Sequence, residues 1–338
     1  MELRQLGTTG LQVSALCLGV AFRGHPGRGR TEEDCVSTIE RAVELGITFI
    51  DCANVYGRGW SETILGNTLK RLGNRHDLVV TTKVGGAMGD AESQRGLSRD
   101  HILREIDNSL RRLQLDYVDV CYIHQPDPGI QLEETIGAMH EVVRQGKARY
   151  VGVSNHAAAE VVELLWTAER ERLASPSVLQ YQYSLLYRWD TEADVVPLCR
   201  RHGLGLATYS PLAVGLLTGA VRRGQPTPSD SYWRDGADTD RVLAYAEPIV
   251  ETLVRIAREL NKTPAQVAVA WLLANPSVSA PILGPELPRH VEELAGAVGW
   301  QFPAEAKAAL DSVSAGGGPF ELIGRSWRET RQLKRRSR

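Results

Sequence analysis

Eight short apolar segments recur along the chain, and their regular spacing limits the folds that the chain can adopt. Up to Ser210 these segments end every 26 to 40 residues, with helical patterns between them. Continuous apolar strands that alternate with helices are typical of a parallel sheet covered by helices. Eight such units close a (β/α)8 barrel, or TIM barrel. The alternative is an open doubly wound sheet, but no G-x-G-x-x-G follows an early strand. We therefore predict a (β/α)8 TIM barrel whose strands end near Gly19, Ala53, Val84, His124, Ser154, Ser184, Ser210 and Gly284.

Three helices can be located from their boundary signals. Residues 98–113 place apolar side chains on one face, with Ser98 as the expected N-cap. Residues 132–145 follow the same period and end at Gly146, a residue type that favours the position after a helix. Residues 263–266, Thr-Pro-Ala-Gln, combine an N-cap, a proline in the first turn and a capping-box glutamine.

The domain organisation follows from the same pattern. Residues 2–14 contain two short alternating runs around a Thr-Thr-Gly turn, which predicts an N-terminal β-hairpin. We expect residues 1–314 to form a single barrel domain. Within it, residues 219–240 are rich in Gly, Pro, Asp and Ser, which predicts a long loop after the seventh strand. This loop is either a lid or a disordered connection.

Residues 315–338 form a separate C-terminal tail. The tail begins with three glycines, and it carries seven Lys or Arg residues against two Glu residues. The first interpretation is a solvated, flexible extension. The alternative is that Phe320 and Trp327 pack against the barrel mouth or against a neighbouring subunit, which is compatible with a homo-oligomer.

The composition excludes several classes of protein. A formal net charge of −2 argues against a general nucleic-acid or membrane-surface binder. No apolar run reaches membrane-spanning length and no signal peptide opens the chain, so we expect a cytoplasmic protein. The cysteines lack a C-x-x-C pair, which predicts reduced thiols and neither a disulfide framework nor a metal site. They are Cys17, Cys35, Cys52, Cys121 and Cys199.

The stretch FIDCANVYG, residues 49–57, contains the first candidate for catalysis. Asp51 ends its apolar run, and a buried carboxylate costs several kcal/mol unless a cation pairs with it. The expected partner is Lys83, at the end of the apolar strand LVVTTKV. A lysine is an unusual choice here, since the chain has 33 arginines and 6 lysines. The alternative is that Lys83 extends from the strand end to solvent.

Tyr56 and His124 join this pair at one mouth of the predicted barrel. Tyr56 follows Asp51 by five residues, and His124 ends the apolar strand VDVCYI. A neighbouring ammonium favours the phenolate and lowers the pKa of a tyrosine, and a histidine can hydrogen-bond a carbonyl or alcohol oxygen. Such a site protonates a carbonyl oxygen while another species delivers hydride to the carbon.

Longer motifs occur in order along residues 3–312. They are FIDCANVYG-x-G-x-SE, TTKVGG, LQLDYVDVCYIHQPD, GKARYVGVSN, LQYQYSLLYR, ATYSPLAVGLLTG and ILGPELPRHVEEL. In combination they resemble the aldo-keto reductase family. The resemblance implies a (β/α)8 barrel and an oxidoreductase that uses a nicotinamide cofactor and no metal. It also implies that Tyr56 is the proton donor, that Lys83 and Asp51 tune it, and that His124 orients the carbonyl.

The resemblance further implies a cofactor site. Ser154, Asn155 and Gln180 match the partners of the nicotinamide carboxamide, and Tyr209 matches the ring that stacks on the nicotinamide. The alternatives are that Ser154 and Asn155 cap the next helix and that Tyr209 belongs to the core. The pyrophosphate loop and the adenosine end are assigned to Ser210, Pro211, Leu212, Gly215, Arg234, Gly284, Glu286, His290 and Glu293.

The adenosine end departs from the family pattern. Ala220 stands where relatives commonly have a lysine, and Glu286 stands where many carry Ser, Arg or Lys for a 2′-phosphate. His290 replaces the usual Gln or Arg, and Leu294 replaces the adenine-binding Asn. A carboxylate repels a phosphate dianion but accepts hydrogen bonds from a free ribose diol. NADP(H), the family default, is therefore only slightly favoured over NAD(H).

The substrate pocket is expected on the variable loops and is predicted to be lined by Phe22, Trp60, Tyr187, Arg188 and Trp233. Aromatic side chains suit the face of a sugar or an apolar carbonyl compound, so the predicted substrates are sugar-like or small aldehydes and ketones. Arg23, Arg28 and Arg30 could recognise an acidic or phosphorylated aldehyde. A solvated charge run is the favoured interpretation of these three arginines.

Two functions from different classes are left open. The first is a carbonyl reductase, or an alcohol dehydrogenase that runs the same chemistry backwards. The second is a cofactor-binding regulatory protein like the potassium-channel β subunits, which resemble the same family. The intact set of four catalytic candidates favours the enzyme without excluding the second function. The lack of a long segment before the hairpin leads us to expect no channel partner.

Overall fold

An N-terminal hairpin and a closed barrel of eight parallel strands form the framework of the molecule. The computed structural model describes residues 1–22, 30–228, 231, 233, 237–316 and 318. The hairpin pairs β1 (Leu3–Gln5) with β2 (Gln12–Ser14) in antiparallel fashion. The barrel strands are β3 (Cys17–Gly19), β4 (Phe49–Asp51), β5 (Val79–Val84), β6 (Val118–Ile123), β7 (Ala148–Ser154), β8 (Pro176–Gln182), β9 (Gly205–Tyr209) and β10 (Ala280–Leu283). Each strand pairs with the next along the chain, and β10 closes the barrel against β3. The predicted (β/α)8 barrel is confirmed.

Helices surround the barrel and connect its strands. They are α1 (Glu32–Glu44), α2 (Trp60–Leu72), α3 (Arg99–Leu113), α4 (Leu132–Arg144), α5 (Ala158–Arg170), α6 (Val196–His202), α7 (Ala237–Glu259), α8 (Pro264–Leu273), α9 (Pro288–Ala295) and α10 (Ala304–Val313). Helices α3, α4 and α8 begin where the sequence signals predict. The Thr263 hydroxyl accepts from the Gln266 backbone N–H, so the capping box at the start of α8 is present.

The barrel interior and the layer between barrel and helices form two apolar clusters. The interior cluster contains the inward-facing side chains of the strands, including Phe49 and Tyr122, and it is closed from below by Leu6 of the hairpin. Gly7 has a left-handed backbone (φ 59°) and lies against the backbone of Gly205 so closely that any side chain would collide. The hairpin therefore plugs the amino-terminal end of the barrel and leaves the carboxyl end open for a site.

Two predicted segments differ from the structure or lie partly outside it. Residues 219–228 have no helix or strand, as the loop prediction requires. The predicted loop is too long at its end, because α7 already begins at Ala237, where an amphipathic helical period starts. The tail residues Phe320 and Trp327 lie outside the described residues. Within the described ranges, no helix combines the length and the hydropathy needed to cross a bilayer.

Candidate active site

The four catalytic candidates lie at the carboxyl ends of three neighbouring strands. Asp51 is the last residue of β4, Lys83 lies near the end of β5, and His124 follows β6 directly. Tyr56 begins a short turn, Tyr56–Gly59, in the loop after β4. Because β4, β5 and β6 are parallel neighbours, these loop and strand ends meet at the same mouth of the barrel.

Asp51 and Lys83 form a buried ion pair. The Lys83 Nζ donates to Asp51 Oδ2 at 2.5 Å and to the Cys52 carbonyl at 2.7 Å. The two side chains are 0% and 3% exposed, so the alternative of a solvent-directed lysine is wrong. Burial acts most strongly on the pKa of Lys83 and lowers it, but the Asp51 carboxylate and Tyr56 raise it, and the net direction is upward. The lysine therefore stays an ammonium at neutral pH.

The second carboxylate oxygen of Asp51 is also held. The Thr81 hydroxyl donates to Asp51 Oδ1 at 2.7 Å, and the Gln180 Nε2 donates to the same oxygen at 3.0 Å. Thr81 lies directly opposite Asp51 in the β4–β5 register and on the same strand face as Lys83. Three donors from two strands thus fix one carboxylate, which orients the ammonium toward the loop of Tyr56.

Tyr56 lies beside this ammonium. Its hydroxyl is 3.4 Å from Lys83 Nζ, and the nitrogen is 5.0 Å from the ring centroid. Lys83 lowers the pKa of the phenol, as expected, but burial is the larger effect and the net pKa is raised. The expected lowering by Lys83 is thus present, but it does not set the net direction of the pKa. The physical reason is that exclusion of water destabilises a phenolate more than one ammonium at this distance stabilises it.

His124 faces Tyr56 across the mouth. The two rings meet edge to face, with centroids 5.9 Å apart. Burial, together with the positive charge of Lys83, lowers the pKa of His124 to about 3. The imidazole is consequently neutral at physiological pH, and it can donate or accept one hydrogen bond without adding charge.

The residues assigned to the nicotinamide form a connected polar layer on the next three strands. The Ser154 hydroxyl donates to the Gln180 carbonyl at 2.8 Å, and the Tyr209 hydroxyl donates to Asn155 Oδ1 at 2.8 Å. Asn155 Nδ2 donates to the His124 carbonyl and to Ser154 Oγ, each at 3.0 Å. Asn155 has a left-handed backbone (φ 62°), and it does not lie in α5, whose N-cap is Ala157. The helix-capping alternative is therefore wrong for Asn155.

The loop after β9 offers an open backbone to a ligand. Left-handed φ angles occur at Ser210 (55°), Val214 (57°) and Gly215 (94°), so the chain turns sharply there. A Cβ placed on Gly215 or on Gly284 would meet nothing within 4 Å, so the backbone of both residues is open on that side. Within this loop, Pro211 is buried and Leu212 is half-buried. These features fit a dinucleotide cofactor. Arg234, which was expected to supply charge to the pyrophosphate, lies outside the described residues.

The adenosine end contains an ion pair that sequence reasoning missed. Arg30 Nε donates to Glu286 Oε2 at 3.1 Å and joins the loop after β3 to the loop after β10. The favoured interpretation of Arg30 as part of a solvated charge run is wrong, because its side chain is 19% exposed and paired. Arg23 and Arg28 lie outside the described residues. His290 Nδ1 accepts weakly from the Glu286 backbone N–H at 3.4 Å, while Glu293 and Ala220 are exposed.

The aromatic candidates fall into two places. Phe22 and Trp60 pack edge to face with centroids 6.3 Å apart, and Trp60 begins the helix that follows the Tyr56 turn. Trp233 instead donates its indole N–H to the Ala213 carbonyl at 3.3 Å, beside the loop after β9. Tyr187 donates to Asp190, and Arg188 is paired with Glu192.

Known proteins resemble this chain over most of its length. The model of the Aldo/keto reductase family matches residues 15–315. This chain belongs to that family. A "Probable voltage-gated potassium channel subunit beta" from Arabidopsis thaliana is 38% identical over 93% of this chain and 95% of its own length. A relative of the same name from Oryza sativa subsp. japonica is 38% identical over 84% of this chain and 87% of its own length. A "Putative voltage-gated potassium channel subunit beta" from Schizosaccharomyces pombe is 37% identical over 87% of both chains.

Membership of the aldo/keto reductase family supports an NAD(P)H-dependent oxidoreductase or a role like that of the β subunits. It also suggests a small-molecule substrate and a nicotinamide cofactor. Among the described residues, no group of three or more His, Cys, Asp or Glu side chains is arranged to hold a metal ion. The five cysteines are free and buried.

Sequence reasoning also missed the residues that support the site from behind. Thr81 could have been found, since it lies two residues before Lys83 and therefore on the same face of the strand. The contact between Gln180 and Asp51 spans 129 residues and had no local signal. Behind the Tyr56 turn, Glu62 and Arg112 form a further ion pair at 2.7 Å. Glu62 ends the motif FIDCANVYG-x-G-x-SE, but nothing in the motif indicated its partner.

Proposed function

We propose that this protein is an enzyme that reduces aldehydes or ketones to alcohols with NAD(P)H. The observation that carries the proposal is the phenol of Tyr56, 3.4 Å from an ammonium that Asp51 anchors and opposite the neutral ring of His124. A bound reduced nicotinamide supplies hydride to the carbonyl carbon. The protein supplies the proton, so carbonyl, hydride and proton together give the alcohol.

Tyr56 is the proposed proton donor. Its raised pKa keeps the hydroxyl protonated at neutral pH, which an acid requires before the reaction. When the proton moves to the carbonyl oxygen, negative charge develops on Tyr56 Oη, beside the Lys83 ammonium. That attraction is stronger in the transition state than in the ground state, which is the condition for a rate increase. The same groups serve alcohol oxidation in the reverse direction.

His124 is proposed to orient the substrate. A neutral imidazole can donate one N–H to the carbonyl oxygen, and its low pKa ensures that it does not compete with Tyr56 as the acid. The pair formed by Phe22 and Trp60 supports a small or sugar-like carbonyl compound, because aromatic faces pack well on such molecules. The buried reduced cysteines support a cytoplasmic location.

NADP(H) is the proposed cofactor, slightly ahead of NAD(H). Glu286 alone would repel a 2′-phosphate, but Arg30 offsets part of its charge at 3.1 Å. The preference is measured by titrating both reduced cofactors against tryptophan fluorescence. We expect the Kd for NADPH to be lower than the Kd for NADH by less than about tenfold, which corresponds to about 1.4 kcal/mol of binding free energy. A larger preference would show that Glu286 exerts no repulsion.

The test of the function is a panel of sugars, aldehydes and ketones assayed with both cofactors by nicotinamide absorbance. Tyr56→Phe should abolish turnover of every accepted aldehyde, because general acid catalysis contributes roughly 10²–10⁴-fold. The Kd for each cofactor, measured by tryptophan fluorescence, should stay within about twofold of the wild-type value, a change of less than about 0.5 kcal/mol. Near-normal turnover in Tyr56→Phe would refute the proton-donor assignment.

The second candidate is a cofactor-binding regulatory subunit. The three relatives named as potassium-channel β subunits favour it at 37 to 38% identity. The test is co-purification with the cytoplasmic part of a voltage-gated potassium channel, with Tyr56→Phe as the matched variant. Stable co-purification, together with wild-type turnover no higher than that of Tyr56→Phe, would favour the regulatory function over the reductase.

A further inference from the structure

Tyr56 is the first residue of a turn with an unusual backbone conformation. After Tyr56, three consecutive residues adopt left-handed angles: Gly57 (φ 59°), Arg58 (φ 54°) and Gly59 (φ 94°). Glycine adopts such angles without a steric penalty, but for Arg58, which has a Cβ, the conformation costs free energy. Contacts from outside the turn can offset this cost.

Arg112, in the last turn of α3, lies directly against this turn. A Cβ placed on Gly59 would be 2.6 Å from Arg112 Cδ and 2.8 Å from its Nε. The Cδ and the planar guanidinium end of the arginine thus pack on the bare Cα of Gly59. Gly59 leads straight into α2, which begins at Trp60, so this contact lies between the Tyr56 turn and the following helix.

Two buried carboxylates hold the guanidinium of Arg112 in this place. Its Nε donates to Glu62 Oε2 at 2.7 Å, and its Nη2 is 3.9 Å from Glu105 Oε2. Glu62 is fully buried and Glu105 is 4% exposed. Arg112 itself is 23% exposed at the side chain, so it partly neutralises two carboxylates that have little access to water.

The other partners of these carboxylates are neighbours of catalytic candidates. The Thr82 hydroxyl donates to Glu62 Oε1 at 2.5 Å, and Thr82 immediately precedes Lys83. Asn54 Nδ2 donates to Glu105 Oε2 at 3.2 Å, and Asn54 lies between Asp51 and Tyr56. One arginine is therefore connected to the segments of the proton donor, its ammonium and its carboxylate.

We propose that Arg112 is a positioning residue for the Tyr56 phenol: pinned by Glu62 and Glu105, it holds the left-handed turn at Gly59 so that Tyr56 faces Lys83. The proposal rests on the proposed role of Tyr56 as proton donor. It predicts a loss of kcat without a loss of cofactor affinity, because none of these contacts involves the loops assigned to the cofactor.

The experiment compares Arg112→Met with Arg75→Met. Arg75 is the matched control, since it pairs with buried Asp119 at 2.9 Å and is 15% exposed, but it lies before β5 at the other end of the barrel. With para-nitrobenzaldehyde and saturating NADPH, Arg112→Met should lower kcat on the order of 10²-fold, as expected for a shift of about 1 Å at a reacting group. The Kd for NADPH should stay within about twofold. Arg75→Met should lose comparable thermal stability but keep its kcat.

A double variant separates positioning from general damage. In the Tyr56→Phe background, Arg112→Met should cause no further loss of residual single-turnover rate, because the group that it positions is absent. An equal loss in both backgrounds, or an Arg112→Met kcat equal to that of Arg75→Met, would overturn the positioning role and leave the Tyr56 assignment intact. Undiminished turnover in Tyr56→Phe alone would instead overturn the proton-donor assignment of Tyr56, and this proposal with it, whereas a wild type without turnover on any substrate would overturn the proposed function.

Arg112→Lys keeps the test valid if Arg112→Met does not fold. A lysine retains the charge that offsets Glu62 and Glu105, but it lacks the planar guanidinium whose Nε and Cζ lie against Gly59. We expect wild-type thermal stability within a few degrees and a kcat lowered about tenfold, an intermediate effect between the wild type and Arg112→Met. A kcat at the wild-type value would overturn the proposal.

Discussion

Replacing Lys83 by methionine tests how much the buried ion pair with Asp51 contributes to the stability of the fold. Methionine keeps the volume of the lysine stem but removes the charge, so Asp51 is left as a buried carboxylate without a cation. Removing one partner of a buried pair costs about 3–5 kcal/mol. Asp51 keeps two donors, Thr81 at 2.7 Å and Gln180 at 3.0 Å, whereas the Cys52 carbonyl loses its lysine donor. We therefore expect Lys83→Met to lower the free energy of unfolding by about 3–5 kcal/mol.

The expected shift in melting temperature follows from the length of the chain. Unfolding entropy is about 2.1 cal/mol/K per residue, or about 0.7 kcal/mol/K for a chain of 338 residues. The loss of about 3–5 kcal/mol then lowers the melting temperature by about 4–7 °C. The assay is thermal unfolding followed by circular dichroism at neutral pH.

The chain offers a matched control for this variant. Lys147 and Asp107 form a pair with the same 2.5 Å distance, but their side chains are 23% and 47% exposed. Surface pairs contribute about 0–1 kcal/mol, so Lys147→Met should lower the melting temperature by less than about 1.5 °C. The double variant Asp51→Asn/Lys83→Met should recover much of the stability, because no unpaired charge is left. A Lys83→Met variant as stable as Lys147→Met would refute the reasoning.

The remaining predictions use single positions. His124 has a pKa of about 3 in the fold and about 6.5 when unfolded, so the unfolded chain binds the extra proton between these values. As the pH drops from 6.5 toward 3, this group should therefore lower the free energy of unfolding by about 1.4 kcal/mol per pH unit. The free energy of unfolding of His124→Gln, measured over the same pH range, should lack this contribution. Glu286→Ser should raise affinity for NADPH several-fold relative to NADH in fluorescence titrations, and an unchanged ratio would contradict the repulsion argument. Thr263→Ala should cost about 1 kcal/mol by loss of the N-cap, which lowers the melting temperature by about 1.5 °C. Ser37→Ala is the control, because Ser37 is half-buried inside α1 and its hydroxyl donates to carbonyls of its own helix.

Local patterns were sufficient for the architecture. Strand ends and helix caps depend on neighbouring residues, so α3, α4 and α8 could be placed from capping residues and apolar periods. The end of the predicted loop was misplaced, because the helical period that starts at Ala237 follows a segment rich in Gly, Pro and Asp. Glycine and proline counts do not locate a boundary within a few residues.

The candidate site was predictable in part for a specific physical reason. A parallel barrel brings all strand carboxyl ends to one mouth, so Asp51, Lys83 and His124 could be grouped from their strand-end positions. The net pKa of Tyr56 could not be obtained in this way. It depends on how completely water is excluded around the phenol, and burial there outweighs the nearby ammonium.

The sequence by itself determined the number of strand–helix units, the closing hairpin and the identity of the four polar groups at the barrel mouth. The tertiary structure decided which groups meet across long separations. Gln180 donates to Asp51 from 129 residues away, and Arg30 donates to Glu286 from 256 residues away. Arg112 reaches the turn of Tyr56 from α3, about 50 residues further along the chain. Periodicity and capping act over a few residues, whereas these contacts exist only once the barrel has closed and excluded water.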